Sequence, residues 1–187
     1  MLHKIPNEVI ASILAATTAF IGNIVWGLPP WAIFIGWAGT YLAGGPHLPV
    51  MKKMWAAMPV GSTYALIIIL LNTKWGTAFG TGWWGTTCFL AVTILVVNTA
   101  LMYTGRVKVF ALVPAMFFGF ASMFATYFGG WGWKPSNQWA AIFAAWVVVI
   151  AMNFLGPIYA WVAEWLGTPR AVRKAAIATA AADSAQD

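Results

Sequence analysis

Long apolar runs separated by short polar breaks are the dominant pattern along the chain. The breaks are rich in proline, glycine or charge, as in "GLPPW", "GGPHLPVMKK" and "TGRVK". Apolar runs of about 20 residues are typical of membrane-spanning helices, and proline and glycine end helices. The pattern therefore predicts an all-α integral membrane protein with six transmembrane helices. They cover approximately residues 8–27, 31–45, 53–72, 83–103, 108–128 and 139–163.

These segments form one predicted transmembrane domain over residues 1–167, followed by a cytoplasmic tail over residues 168–187. The tail has basic residues near its start and is then polar and alanine-rich. A lysine before an apolar run would also suit a signal peptide. Because the apolar run continues through Val25, we expect an uncleaved first helix instead.

Small residues recur every fourth position in the second and fifth predicted helices. They are Ala32, Gly36, Thr40 and Gly44 in the second, and Ala111, Ala115 and Gly119 in the fifth. Lipid gives helices no hydrophobic reason to associate, so faces of small residues are needed for close packing. Two interpretations are open here: tight packing alone, or a narrow path flanked by the second and fifth helices.

The two halves of the chain share short sequence words in the same order. "FIGWA" at residues 34–38 is matched by "FFGFA" at residues 117–121, and "WAAM" at 55–58 is matched by "WAAI" at 139–142. Three helices are an odd number, so a second copy would enter the membrane from the opposite side. The sequence therefore predicts two inverted three-helix repeats, at about residues 8–72 and 83–163.

Composition and charge agree with a membrane location. Hydrophobic residues make up 61% of the chain and charged residues 7%. In soluble domains roughly a quarter of all residues are charged. The formal net charge is +6, but the basic residues are scattered and form no basic stripe, so we expect no nucleic-acid partner. With both termini in the cytoplasm, all Lys and Arg residues except Lys74 and Lys134 lie on the inner side, which fits the positive-inside rule.

The stretches "WAIFIGWAGTYLAGG" and "VPAMFFGFASMFATYFGGWGWK" resemble the YcdZ-like bacterial inner-membrane family, whose function is unknown. The likeness covers most of the region of the six predicted helices. It implies a small, multi-span protein of the bacterial inner membrane. It implies no substrate and no catalytic residue.

Residues that could carry catalysis or bind metal are few. The carboxylates are Glu8, Glu164, Asp183 and Asp187, and none lies in the middle of a predicted span, where coupled transporters keep an ionisable group. We interpret Glu8 and Glu164 as interfacial anchors. The two histidines lack acidic or cysteine neighbours at metal-ligand spacing, and no nucleophile–base pair can be found. We therefore expect no enzyme activity, no metal and no cofactor.

Neutral polar and small residues within the predicted helices are the remaining candidates for a site. An amide in hydrocarbon must find a partner, so these asparagines should face other helices. Their role is either interhelical hydrogen bonding or lining a path. The hypothetical solute path consists of Asn23, Gly36, Thr40, Asn98, Gly119, Ser122 and Asn153.

Three functional hypotheses follow from these residues. The first is a channel or facilitator for a small neutral or weakly polar solute of the urea, amide, ammonia or short-alcohol class, selected by pore width and a few polar groups. The alternative is a structural or accessory subunit of a membrane protein complex. The expected partners are the lipid bilayer and either further copies of the chain or other membrane proteins.

The third hypothesis concerns tryptophans at the outer rim, which either form a cage for cations or a belt at the membrane interface. The residues of this rim are Trp75, Trp83, Trp84, Trp131 and Trp133.

Overall fold

A computed structural model describes residues 6–23 and 27–167, which form six α helices and no strand. The helices are α1 (Asn7–Asn23), α2 (Pro30–Leu42), α3 (Leu48–Trp75), α4 (Trp83–Thr104), α5 (Val113–Phe128) and α6 (Gln138–Gly167). A short 3-10 helix, Lys108–Phe110, precedes α5. The all-α prediction is confirmed for this part of the chain. The predicted tail at residues 168–187 lies outside the described residues.

Three of the six helices are long and apolar enough to cross a bilayer, which makes this a membrane protein. They are α3, α4 and α6, with 28, 22 and 30 residues. The other helices have 17, 13 and 16 residues, fewer than the roughly 20 that the hydrocarbon core requires. A helix does form within each predicted segment, but the expectation of six helices of full spanning length is corrected to three.

Proline and glycine explain why the shorter helices start late or end early. The fifth helix was expected from residue 108 but begins at Val113, because the nitrogen of Pro114 has no hydrogen to donate and proline is accepted only in the first turn. The second helix ends at Leu42, ahead of Gly44 and Gly45. Their φ angles of 115° and 98° are ones that glycine adopts easily and a helix cannot contain.

The long helix α3 starts earlier than predicted, at Leu48 instead of residue 53. Its Pro49 stands in the first turn, where proline is compatible with a helix. Two further prolines lie inside helices: Pro59 in α3 and Pro157 in α6. Each removes one backbone hydrogen bond from the middle of its helix.

The two long helices α3 and α6 contact each other and organise the rest of the bundle. Helix α2 lies against α6 and α5 lies against α3, while α1 packs on α6 and α4 packs on α3. The core has two clusters. One surrounds Ile33, Val149 and Met152, and the other surrounds Met54, Met58 and Met116. Helix α4 is the least buried of the three spanning helices: 17% of its most apolar stretch is buried, against 50% for α3 and 39% for α6.

Candidate functional site

A small cavity with an unpartnered amide lies between α3 and α6. Asn153 on α6 is 2% exposed, and neither its amide nitrogen nor its amide oxygen has a hydrogen-bond partner among the described residues. The cavity beside it has a volume of about 10 Å³, which is close to the space that one water molecule needs. Its walls are formed by Met54, Trp55, Met58, Pro59, Ile150, Asn153 and Phe154.

The internal prolines leave two backbone carbonyls near this cavity without their helical donors. In a helix the carbonyl of residue i accepts from the N–H of residue i+4, and proline has no N–H. Pro157 therefore leaves the carbonyl of Asn153 without its helical donor, and Pro59 does the same for Trp55. Both residues line the cavity. The site thus combines one side-chain amide with largely apolar walls, and none of its described wall residues is charged.

The glycine face of α2 packs closely on α6 at Asn153. A Cβ atom added at Gly36 would lie 2.9 Å from the carbonyl oxygen of Asn153 and 3.1 Å from the Cα of Gly156. One turn further along α2, the buried Thr40 donates its hydroxyl to the Gly36 carbonyl at 2.8 Å. Three predicted path residues, Gly36, Thr40 and Asn153, are therefore connected at the contact between α2 and α6, which we call the first seam.

The glycine face of α5 packs on α3 in a similar way, at what we call the second seam. A Cβ atom at Gly119 would overlap the backbone of Met58, and one at Gly61 would overlap the backbone of Met116. Ser62 donates its hydroxyl to the Gly119 carbonyl at 3.0 Å. Met58 also lines the cavity, so both seams meet there.

Two further polar side chains on α5 are buried beyond Gly119. The hydroxyls of Ser122 and Thr126 are buried without a hydrogen-bond partner in the described part of the chain. Ser122 was a predicted path residue, whereas Thr126 was missed. One turn separates the two, and both follow Gly119 along the buried face of α5.

Of the predicted path residues whose side chains the structure describes, Asn153 alone is part of the cavity wall. Asn98 lies on α4, and its amide oxygen is buried without a partner among the described residues, but Asn98 is not part of the cavity wall. The side chain of Asn23 lies outside what the structure describes. The assignment of these residues to a solute path stays a prediction.

The predicted tryptophan rim contains local aromatic pairs. Trp83 and Trp84 meet edge to face with ring centroids 4.4 Å apart, and Trp131 meets Trp31 in the same way at 4.4 Å. The ammonium group of Lys74 lies 4.4 Å from the centroid of the Trp75 ring, so that ring already faces a cation of its own chain. All five rim residues, including Trp133, are exposed.

A second, much larger cavity was not predicted. It has a volume of about 670 Å³ and lies between α1, α2 and α6. Its walls are formed by Ala11, Ser12, Ala15, Phe34, Trp37, Ala38, Tyr41, Ala163 and Glu164. The available signal was the spacing of Phe34, Trp37 and Tyr41, which places three aromatic rings along one face of a helix.

A family model described as "Protein of unknown function (DUF1097)" matches residues 9–168. The resemblance to the YcdZ-like family is consistent with this match, which does not itself confirm that name. No curated protein and no solved structure matches the chain. The role of each residue therefore has to be argued from the geometry of the two cavities.

Proposed function

The chain belongs to the DUF1097 family of proteins of unknown function, and on this premise we propose a membrane channel or facilitator for a small neutral or weakly polar solute. The solute class is urea, an amide, ammonia or a short alcohol. The observation that carries the proposal is the Asn153 amide, buried without a partner beside a cavity of about 10 Å³. Buried polar groups are normally satisfied, so an unpartnered amide at a cavity suits a transient polar occupant.

The proposed architecture is two inverted three-helix repeats, α1–α3 and α4–α6. In such repeats α1, α2 and α3 correspond to α4, α5 and α6. The contact of α2 with α6 should then have a counterpart between α5 and α3, and the contact of α1 with α6 should have one between α4 and α3. All four contacts are present. A pair of hydrogen bonds follows the same rule. Tyr159 on α6 bonds Thr17 on α1 at 2.9 Å, and Tyr64 on α3 bonds Thr104 on α4 at 2.7 Å.

The burial of corresponding residues supports the same arrangement. If Gly36 corresponds to Gly119, the same offset in residue number pairs Ala32 with Ala115, Ile33 with Met116 and Thr40 with Met123. All six of these residues are buried. The shift that takes Asn153 to Met58 pairs buried residues of α6 and α3. These pairs are Val149 with Met54, Met152 with Ala57, Gly156 with Gly61, Pro157 with Ser62 and Ala160 with Ala65.

The small cavity lies where the proposed repeats meet. Under the same shift its wall residues correspond to one another: Ile150 to Trp55, Asn153 to Met58 and Phe154 to Pro59. In transporters built from inverted repeats, substrates bind near the midplane of the membrane at the repeat interface, often where helices are interrupted. Pro59 and Pro157 each remove a backbone hydrogen bond from α3 and α6 near this cavity, which suits such a site.

The proposed membrane placement has all six helices within the bilayer of a bacterial inner membrane and both termini in the cytoplasm. The shorter helices would cross together with their flanking residues. Lys52 and Lys53 in the first turns of α3 and Arg106 after α4 would then be inside, and Lys74 at the end of α3 outside. Reporter fusions test this: a cytoplasmic reporter should be active at either terminus, and activity at one terminus alone would contradict the repeats.

Solute entry into proteoliposomes, followed by stopped-flow light scattering, tests the transport function. We expect entry of at least one solute of the class to be faster than into empty vesicles, and Asn153→Met to abolish the difference. The control is Asn72→Met, at the end of α3 and away from the cavity wall, which should leave entry unchanged. Entry no faster than into empty vesicles across the whole panel would contradict the proposal.

The accessory-subunit alternative is favoured by one observation, the exposure of α4. Leu95 and Val96 are exposed on this spanning helix, which leaves an apolar surface for lipid, a second copy or another membrane protein. Purification in a mild detergent separates the two functions. A stoichiometric foreign protein would favour the accessory role, and a homogeneous preparation of this chain alone would favour the channel.

A further inference from the structure

We propose that the cavity between α1, α2 and α6 binds an ammonium group carried on an apolar body. Its volume of about 670 Å³ lies within the range of roughly 300–1,000 Å³ that is typical of small-molecule sites. Its walls are apolar apart from a few polar groups, as in sites that take a mostly apolar ligand and orient it through one charged end.

Glu164 supplies the charge of this cavity. Among the described residues of the cavity wall it is the one charged side chain, and it is partly buried. Within the described ranges its carboxylate forms neither an ion pair nor a hydrogen bond. A carboxylate in partly apolar surroundings gains from a cation that also donates hydrogen bonds, as an ammonium group does. The charge therefore selects a cation over a neutral or anionic ligand.

Three aromatic residues of α2 line the same cavity and suit the same ligand. Trp37 stacks on Phe34 with ring centroids 6.2 Å apart and packs against Tyr159 at 5.7 Å. Tyr41 is held by its hydroxyl, which donates to the Ala160 carbonyl at 3.2 Å. Aromatic faces attract ammonium groups through their quadrupole. Because Trp37 is buried and Tyr41 is held by its hydrogen bond, less order has to be imposed when a ligand binds.

The corresponding region of the other half of the chain lacks the polar groups; this comparison relies on the proposed repeats. With the residue-number offsets used above for the repeats, Trp37 corresponds to Phe120, Tyr41 to Phe124 and Glu164 to Ile69. The aromatic face is thus kept while the hydroxyl and the carboxylate are absent. Packing alone does not require a carboxylate at this place, which favours a binding role for Glu164.

Two sources could supply such an ammonium group. One is a free amine with a short hydrocarbon chain, and the other is the headgroup of phosphatidylethanolamine. Glu164 stands in the last turn of α6 and Tyr41 in the last turn of α2, and α1 contributes small residues that leave room for a hydrocarbon chain. The chemistry recognised is the same for both, and lipid analysis distinguishes them.

Calorimetric titration of the purified protein with hexylammonium, 1-hexanol and hexanoate tests the proposal. We expect hexylammonium to bind and Glu164→Gln to weaken it about tenfold or more, because a charged hydrogen bond is lost. The control is Glu8→Gln, which removes the same charge outside the cavity and should leave binding unchanged. Equal binding of hexylammonium to the wild type and Glu164→Gln would overturn the proposal, as would equal binding of hexanol and hexylammonium to the wild type.

Native mass spectrometry of protein extracted from vesicles of phosphatidylethanolamine and phosphatidylglycerol identifies the source. Retention of phosphatidylethanolamine by the wild type and Glu8→Gln, with loss in Glu164→Gln, assigns the headgroup. Binding of hexylammonium without retained phosphatidylethanolamine assigns a free amine. Retention of phosphatidylglycerol in preference to phosphatidylethanolamine would overturn the ammonium assignment. Neither measurement depends on transport. The ammonium proposal can therefore fail while the proposed transport function stands, and transport can fail while the ammonium proposal stands.

Discussion

Two helix contacts can be compared: the first seam, between α2 and α6, and the second seam, between α5 and α3. Both are close glycine-mediated packing contacts, but they place different side chains at the small cavity between α3 and α6. In both seams a glycine lets two helix backbones come into contact: Gly36 in the first and Gly119 in the second. The first seam then places the amide of Asn153 at the cavity, whereas the second places the thioether of Met58 there. Close packing is thus common to both, and the polar group is particular to one.

Under the proposed repeats, in which Met58 corresponds to Asn153, the difference indicates that the amide is not needed to hold the helices together. Methionine fills irregular space with an apolar side chain, and Met58 does so in the second seam at 1% exposure. Asn153 occupies the matching place and leaves both of its amide atoms without partners among the described residues. An unsatisfied buried polar group destabilises a fold, so its presence at one seam is better explained by a function than by packing.

The largest expected effect concerns the glycines that make backbone contact. A Cβ atom at Gly61 or Gly119 would overlap backbone atoms of the facing helix, which cannot move aside as a side chain can. We expect Gly61→Ala and Gly119→Ala to destabilise the bundle by roughly 3 kcal/mol or more. Gly36→Ala, whose Cβ would lie 2.9 Å from the Asn153 carbonyl oxygen, should cost less.

The measurement is the unfolding midpoint in mixed detergent–SDS titrations. Gly82→Ala is the control, because no heavy atom lies within 4 Å of a Cβ at that position; its effect should stay below about 1 kcal/mol. If Gly36→Ala proved more damaging than both substitutions in the second seam, the order of effects expected from these Cβ distances would be contradicted.

An intermediate effect is expected from exchanging the two side chains at the cavity. Asn153→Met places the residue of the second seam into the first, removes an unsatisfied amide and fills the small cavity. We expect a gain of roughly 1–3 kcal/mol in the same titration. Met58→Asn should lose a similar amount, since it buries a second amide. Destabilisation by Asn153→Met would mean that the amide has a partner in the membrane-embedded protein and holds the seam together.

The smallest effect separates two hydroxyls, one in each seam. Ser62 joins two helices through the Gly119 carbonyl, whereas Thr40 bonds to a carbonyl of its own helix. Ser62→Ala should therefore cost about 1 kcal/mol. Thr40→Val keeps the shape of the side chain and gives up a bond that does not link helices, so we expect a loss of about 0.5 kcal/mol. An equal loss in both variants would show that the interhelical bond adds nothing.

The existence of each helix was predictable from the sequence, but the length of several was not. Apolar runs bounded by proline and glycine place a helix in every predicted segment. Proline, however, has two opposite meanings: Pro49 starts α3 and Pro59 lies within it. Hydrophobicity alone does not tell a first-turn proline from one that ends a helix. This is why α3 was predicted too short and α5 too long.

The register between the halves was also only partly predictable. Under the proposed repeats, the shared words around Gly36 and Gly119 pair residues of α2 and α5, because glycine at a backbone contact has no substitute. The second pair of words, which starts at Trp55 and Trp139, gives a different register for α3 and α6 from the one that burial supports. Tryptophan near a helix end is favoured by the membrane interface, so its position does not report which residues face the other helices.

The site was predictable to the extent that it depends on residue type. Asn153 stood out because an amide in an apolar helix needs an explanation. Glu164 was interpreted as an interfacial anchor, since its position close to the end of a helix is where such anchors occur. Its neighbours Ser12 and Tyr41 lie far away in the sequence. A cavity formed by three helices depends on their tertiary arrangement, which short words do not encode.

The narrowness of the small cavity between α3 and α6 has a consequence for the membrane potential. A sodium or potassium ion would have to shed nearly its whole hydration shell to enter a space for one water, and one uncharged amide would replace little of it. Dehydrating an ion in such surroundings costs many kcal/mol. A lone water is likewise no continuous wire for protons. A facilitator with this constriction would pass a solute of about the size of water, such as ammonia, while the membrane potential stays intact.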